Sequence, residues 1–173
     1  YELGIKKDFW RGILSTNVTL YQIENSNLAQ TAEFKADGSA NTDSSIKTLS
    51  GSTKSKGVEI DITARPTTGL SIIAGYSYND MRYTKTSGLE GSFIVGDRLA
   101  RTPANTANLS FFYTLQSGLL KGFSIGSSAN YIGKRVGGWN NQYKAAEPNG
   151  IFDRGIPLED YATVDVSAGY EWG

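Results

Sequence analysis

The chain contains no cysteine and no histidine. The first absence excludes a disulfide framework and thiolate metal sites. The second removes the commonest general base and the commonest transition-metal ligand. Ser-His-Asp and Cys-His nucleophilic machinery is therefore impossible within these 173 residues. No run approaches the roughly 18 apolar residues of a transmembrane helix. Charge of one sign is also lacking, with 17 basic residues against 17 acidic. No field of one sign attracts nucleic acid or an anionic surface, so nucleic-acid binding is set aside. Apolar residues make up 39%, low for a soluble domain with one well-filled core. Avoidance of cysteine fits a bacterial envelope protein, because the periplasm oxidises stray thiols. The opening, YELGIKKDFW, lacks the apolar stretch of a signal peptide and reads as mid-strand. The expectation is a chain that begins inside something larger.

What is abundant is glycine (20), tyrosine (10) and small polar residues, a mixture that suits strands with polar turns. The recurring period is two, not 3.6. Val58, Ile60, Ile62 and Ala64 alternate with Glu59, Asp61, Thr63 and Arg65. After Pro66, Thr67, Thr68 and Gly69, the apolar positions resume at Leu70, Ile72, Ala74, Tyr76 and Tyr78. Seven strands are predicted, at about 1–9, 13–24, 53–65, 70–83, 104–116, 122–135 and 161–172. Tyr21 and Ile23 break the alternation of the second. The predicted connections alternate strictly between short turns (10–12, 66–69 and about 117–121) and long loops (about 25–52, 84–101 and 137–160). In an up-and-down antiparallel sheet this puts all short turns on one rim and all long loops on the other.

Strands of ten or so residues with that loop asymmetry are the pattern of an outer-membrane barrel, greasy face to lipid and polar face to a wet lumen. Phe9, Trp10, Tyr113, Phe123, Tyr170 and Trp172 fall near the short-turn rim, and Tyr78 and Tyr131 farther up, as in an aromatic girdle. The alternative from the same residues is a soluble or cell-surface β-protein, its greasy faces packed on one another, that binds carbohydrate or protein.

Several stretches resemble the β-barrel of TonB-dependent outer-membrane receptors, most closely the ferrichrome-type siderophore receptors. In chain order they are YELGIKKDF, NVTLYQIENSN, SKGVEIDI, RTPANTANLSFFY, ANYIGKR and IPLEDYATVDVSAGYEW. Each is weak alone; six in order across nearly the whole chain are not. The resemblance implies an all-β, antiparallel, up-and-down sheet of about seven strands, part of a 22-stranded transmembrane barrel. Residues 1–173 would be a partial receptor barrel, without the plug domain and the final strands. It also implies active import of an iron-siderophore complex across the bacterial outer membrane, with no cofactor and no enzymatic step. The implied partners are a ferric siderophore, the receptor's own plug domain, TonB acting through that plug, and lipid or lipopolysaccharide.

Individual sites are sparse. Glu59 and Asp61 share a strand face about 6.5 Å apart, a spacing that suits an acid–base pair, but lumenal hydrogen bonding is the expected role. Asp37, Gly38 and Asp43 are too thinly spread for a calcium loop. Asn17 heads an Asn-Val-Thr sequon that has no meaning inside a barrel strand. Gly137 and Gly138 are expected to form a turn leaving a strand. Trp139, Tyr143 and Phe152, in a long outer loop, are the candidates to stack on a ligand, with packing against one another within the loop as the expected alternative. Arg82, Arg98 and Arg101 lie near the outer rim, where pairing with Asp80 or Asp97 is expected over attraction of an anionic ligand.

Overall fold

A computed structural model describes residues 1–32, 34–86, 95–139 and 155–172, with only the backbone at Trp139. Seven antiparallel strands form one sheet in which each strand lies beside the next. They are β1 (Glu2–Phe9), β2 (Leu14–Thr31), β3 (Lys47–Ala64), β4 (Leu70–Lys85), β5 (Asn105–Thr114), β6 (Phe123–Ile132) and β9 (Tyr161–Tyr170). Two further strands, β7 (Arg135–Trp139) and β8 (Gly155–Leu158), pair with each other as a separate ribbon. A short 3-10 turn, Trp10–Gly12, joins β1 to β2. The short connections all lie at one rim, as the alternation of loop lengths predicts.

The register turns the period of two into one largely apolar face, broken by Lys7, Thr16 and Ser127. Ile5 opposes Val18, Val18 opposes Ile60, and Ile60 opposes Tyr76. Farther along, Ala74 opposes Leu109, Leu109 opposes Ala129, and Ala129 opposes Val164. A slip of one residue anywhere would move a strand's apolar set to the other face. Among the described residues no second layer covers this face. Leu3, Ile5, Leu20, Leu109, Phe111, Val164 and Val166 are all exposed, and Ala32 is the one buried apolar residue among those described. The packed-sandwich alternative therefore has no counterpart in the fold.

Aromatic rings bracket the apolar band. Phe9, Tyr113, Phe123 and Tyr170 sit on it near the short-turn rim, with Phe123 directly opposite Tyr170. Tyr170 meets Trp172 edge-on at 5.1 Å, and the Lys7 ammonium stands 4.9 Å above the Phe9 ring. At the other border the Tyr76 hydroxyl donates to Asn105 Oδ1 at 2.7 Å, and that of Tyr131 to Asp160 Oδ2 at 3.2 Å. Amphipathic rings with an apolar body and a bonded polar tip suit a boundary between hydrocarbon and water. From Phe123 to Tyr131, or Leu70 to Tyr78, the band is about nine residues long, the length of a tilted spanning strand.

Beyond Leu20, Val58 and Tyr78 the same face turns charged. Gln22 opposes Lys56, which opposes Asp80; Glu24 opposes Lys54, which opposes Arg82. Here β2, β3 and β4 run farther than the sequence pattern predicts, leaving a connection of only residues 32–46 where a loop over 25–52 is expected. A bulge between Asn25 and Leu28 carries Asn27 at φ 60°, a conformation asparagine tolerates. The Gln30 side chain crosses β3 at Gly51, where a Cβ would overlap it, and donates to the Lys85 carbonyl at 3.4 Å. Gly51, Ser52 and Thr53 are buried in this region. The predicted turn at Gly137 and Gly138 is instead part of β7, with a register shift between Val136 and Gly138. Glycine there loosens the ladder without ending it.

A second glycine makes a similar crossing just above the band, on the opposite face. Gly57 opposes Tyr21, and the Tyr21 ring occupies the space a Gly57 side chain would fill. Gly57→Val should displace that ring and press on the Tyr78 carbonyl, lowering stability by about 1–3 kcal/mol. The thermal midpoint of the intact protein measures this. Tyr21→Ala in the same background should add less than it does alone, because the contact is already lost.

Candidate functional site

Alternation assigns the opposite, polar face. Across mid-sheet, Lys6, Asn17, Asp61, Gly75, Asn108, Asn130 and Thr163 lie in register. Asn17 Nδ2 donates to Asp61 Oδ2 at 3.2 Å, so the sequon asparagine is a cross-strand partner. Asn108 lies over Gly75, whose Cβ would stand 2.6 Å from its Oδ1. Toward the short-turn rim, Ser15 donates to Asp8, and Ser128 Oγ to Asp165 Oδ2 at 3.4 Å. Glu59 shares the face with Asp61 but is exposed and makes no hydrogen bond or ion pair among the described residues.

Above mid-sheet the polar face carries rings. Tyr21 lies over Gly57; Asn79, Met81 and Tyr83 follow on β4, and Tyr161 opposes Ile132 at the start of β9. Ser55 Oγ donates to Asn79 Oδ1 at 2.6 Å, and the Arg135 guanidinium stands 5.3 Å from the Tyr161 ring. Burial first, then the Asp97 carboxylate, push the Tyr83 hydroxyl above its ordinary pKa. Residues 95–104 run beside the upper half of β4: Tyr83 N donates to Asp97 O at 3.0 Å, and Asn79 N to Ala104 O at 2.8 Å. Outside β6, Lys134 pairs with Glu159 at 2.8 Å, and this bond raises the lysine pKa.

The rim arginines are paired as expected, and both reach one carboxylate. Arg82 Nε lies 2.9 Å from Asp80 Oδ1, and Arg98 Nη1 lies 3.4 Å from the same oxygen. Asp80 and Arg82 share the parity of Tyr76 and Tyr78, so the cluster stands on the side of the apolar band, away from the polar face. Arg101 instead donates its backbone N–H to the Val136 carbonyl at 2.6 Å.

In the 32–46 connection, Asp37 accepts from Ser39 N and Oγ at 2.9 and 2.6 Å, and Asp43 accepts from Ser45 N at 2.8 Å. These bonds hold both carboxyls below the usual range, and they tie the loop to itself. No group of three acidic residues placed to hold a metal occurs among the described residues.

Of the loop candidates, Trp139 ends β7, while Tyr143 and Phe152 lie outside the described residues. The rings on the upper polar face, Tyr21, Tyr83 and Tyr161, were missed by the sequence reading. Parity was the available signal: each lies an odd number of residues from a lipid-type position on its own strand, as Tyr21 does from Leu20.

Comparison with known proteins gives this geometry a family. The whole chain, residues 1–173, matches the family model described as TonB dependent receptor-like, beta-barrel. The ferrioxamine B receptor of Salmonella typhimurium is 28% identical over 99% of the chain and 21% of its own length. The ferrichrome outer membrane transporter/phage receptor of Escherichia coli is 28% identical over 83% of the chain and 18% of its own. Among solved structures, Pseudomonas aeruginosa FpvA bound to heterologous pyoverdines superposes with a TM-score of 0.67 at 26% identity, covering 98% of this chain and 20% of that one. BauA of Acinetobacter baumannii, a ferric preacinetobactin receptor, shares the fold with a TM-score of 0.69 at 18% identity, covering 96% and 21%. The chain thus spans about a fifth of the length of these relatives. With its largely apolar band, bracketing rings and one-sided loops, it belongs to the TonB-dependent receptor β-barrel family and forms a stretch of outer-membrane barrel wall.

Proposed function

We propose that this wall serves active import of an iron-siderophore complex, with transport and no bond-making chemistry. The observation that carries the reading is the division of one sheet into an uncovered apolar band and a polar face that continues, beyond the band, into tyrosine-bearing staves. The relatives named for ferrioxamine B and ferrichrome support siderophore as the ligand class. In this reading the loops of the long rim, with Trp139, Tyr143 and Phe152, capture the complex at the cell surface. Tyr21, Tyr83 and Tyr161 line the way inward. Aromatic faces suit a bulky, largely neutral chelate: they give contact area at little conformational cost.

The polar face below them borders the receptor's plug domain, and energy reaches that plug from TonB. Exposed Glu59 is a natural partner for it. On the outward side, Lys56 and Lys54 stand one and two steps beyond the apolar band, at headgroup height. There they meet phosphates of lipopolysaccharide.

Two measurements test the reading. Leu109→Arg places a charge mid-band and should cost about 2–4 kcal/mol of folding free energy in a bilayer, whereas a polar change at adjacent Asn108 should cost far less. Equal costs at the two positions would remove the lipid-facing assignment. In the full-length receptor, combined Tyr83→Ala and Tyr161→Ala should weaken ferric siderophore binding about tenfold or more, roughly 1.4 kcal/mol, with surface expression unchanged. Radiolabelled iron uptake with hydroxamate and catecholate chelates would read it. Absence of uptake for every chelate by the unaltered receptor would overturn siderophore as the cargo.

A further inference from the structure

Below mid-sheet, two neighbouring residues of the polar face are apolar. Ile73 is 51% exposed and Phe112 is 48% exposed, on neighbouring strands and diagonally adjacent, since Ile73 opposes Ser110 and Phe112 opposes Ser71. Both lie on the side opposite the apolar band. Next to them the surface dips. Phe112 opposes Gly126, and a Cβ there would stand 2.9 Å from Phe112 Cδ2 and 2.8 Å from Ser167 Oγ. The glycine lets the ring lean across β6 toward β9. The result is a depression of about 270 Å³ with Ile73 and Phe112 as its apolar floor and Ser110, Ser128, Ser167 and Asp165 around it. Asp165 is exposed, and Ser128 is its one side-chain partner among the described residues.

An apolar floor with a single carboxylate at its edge fits a long amphipathic cation. The methylene stem of a lysine or arginine covers the Ile73 side chain and the Phe112 ring, and its head reaches Asp165 and the serine hydroxyls. A purely apolar occupant would strip water from Asp165 without replacing it. The wall's charge points the same way. Along the strands below the upper rim the polar face carries Glu2, Asp8, Glu59, Asp61 and Asp165 against Lys6 and Arg65. We infer that the depression between Ile73, Phe112 and Asp165 seats one basic side chain from the domain that fills the lumen of the full-length receptor. The inference rests on the proposed presence of that domain. It adds an anchor near the short-turn rim, separate from Glu59.

The test uses the full-length receptor in outer membranes, with a photo-crosslinking benzoylphenylalanine in place of Phe112 and mass-spectrometric mapping of the product. The expected product joins Phe112 to a lumenal-domain peptide at, or one or two residues from, an arginine or lysine. Asp165→Asn should lower its yield, and so should neutralising that basic residue, with the double variant no worse than either alone. In a second arm, Ser167→Cys, the only cysteine in this segment, is labelled with a membrane-impermeant maleimide. Adding Asp165→Asn should speed labelling about tenfold, equivalent to roughly 1.4 kcal/mol. A product with the lumenal domain far from any basic residue, or a yield and labelling rate indifferent to Asp165→Asn, overturns the inference and leaves the plug reading intact. Products confined to neighbouring barrel strands overturn both.

Discussion

In hydrocarbon a backbone amide has no water to bond, so a wall made of strands is only as sound as its ladder of hydrogen bonds. Every other feature of this chain depends on that ladder running without a break from β1 to β9. The ladder fixes register, register fixes parity, and parity decides which side chains meet lipid. Because the side-chain period is two, the apolar band and the polar face are one decision, made once and copied across each strand pair. The same constraint bears on the free sides of β1 and β9. Each ends the described sheet with a row of N–H and C=O groups, and in a membrane those rows need neighbouring strands. This agrees with relatives about five times as long as the chain.

Above the membrane the ladder persists while its hydrophobic reason disappears. On β2, β3 and β4 the positions that face lipid lower down become Gln22, Glu24, Lys54, Lys56, Asp80 and Arg82. Strand here is maintained by cross-strand hydrogen bonds and by side chains that lie flat over the sheet. Gln30 over Gly51 and Tyr21 over Gly57 are two such cases. A glycine removes its own side chain and lets a neighbour's cover the backbone. The consequence for function is stiffness. For the ligand-holding role proposed above, rings set on a paired sheet lose fewer conformations on binding than rings on a free loop.

These two regimes explain what the sequence showed and what it hid. Inside the band, alternation such as Val58, Ile60 and Ile62 against Glu59, Asp61 and Thr63 is imposed by two different solvents, and it is plain to read. Beyond the band both faces meet water, so Asn25 to Thr31 and Lys47 to Ser52 carry no period and look like loop, although they are paired. Tyr21 and Ile23 seemed to spoil the pattern of β2 for the same reason: parity continued, but the polarity of the two faces no longer differed. The pairing of Arg82 with Asp80 was foreseeable from charge and spacing. Its outward direction was also legible by counting on from Tyr78, and composition alone did not reveal it. Trp139, Tyr143 and Phe152 were chosen for being aromatic in a long loop, a criterion that carries no register.

Parity also separates two kinds of exposed apolar residue that exposure alone cannot distinguish. Val166 and Phe111 are uncovered because lipid is their intended neighbour, and they share the band with a long series of similar side chains. Ile73 and Phe112 are uncovered to a similar degree but sit at the wrong parity, each surrounded by serine and glycine. Water contact costs such side chains on the order of 25 cal/mol for each Å² left exposed, and a polar residue would serve a wet wall better. An apolar pair that breaks the rule of its own face, beside a carboxylate, is therefore better explained by an occupant than by tolerance. The barrel wall thus carries binding information on its inner side in the few positions where the alternation holds and the chemistry does not.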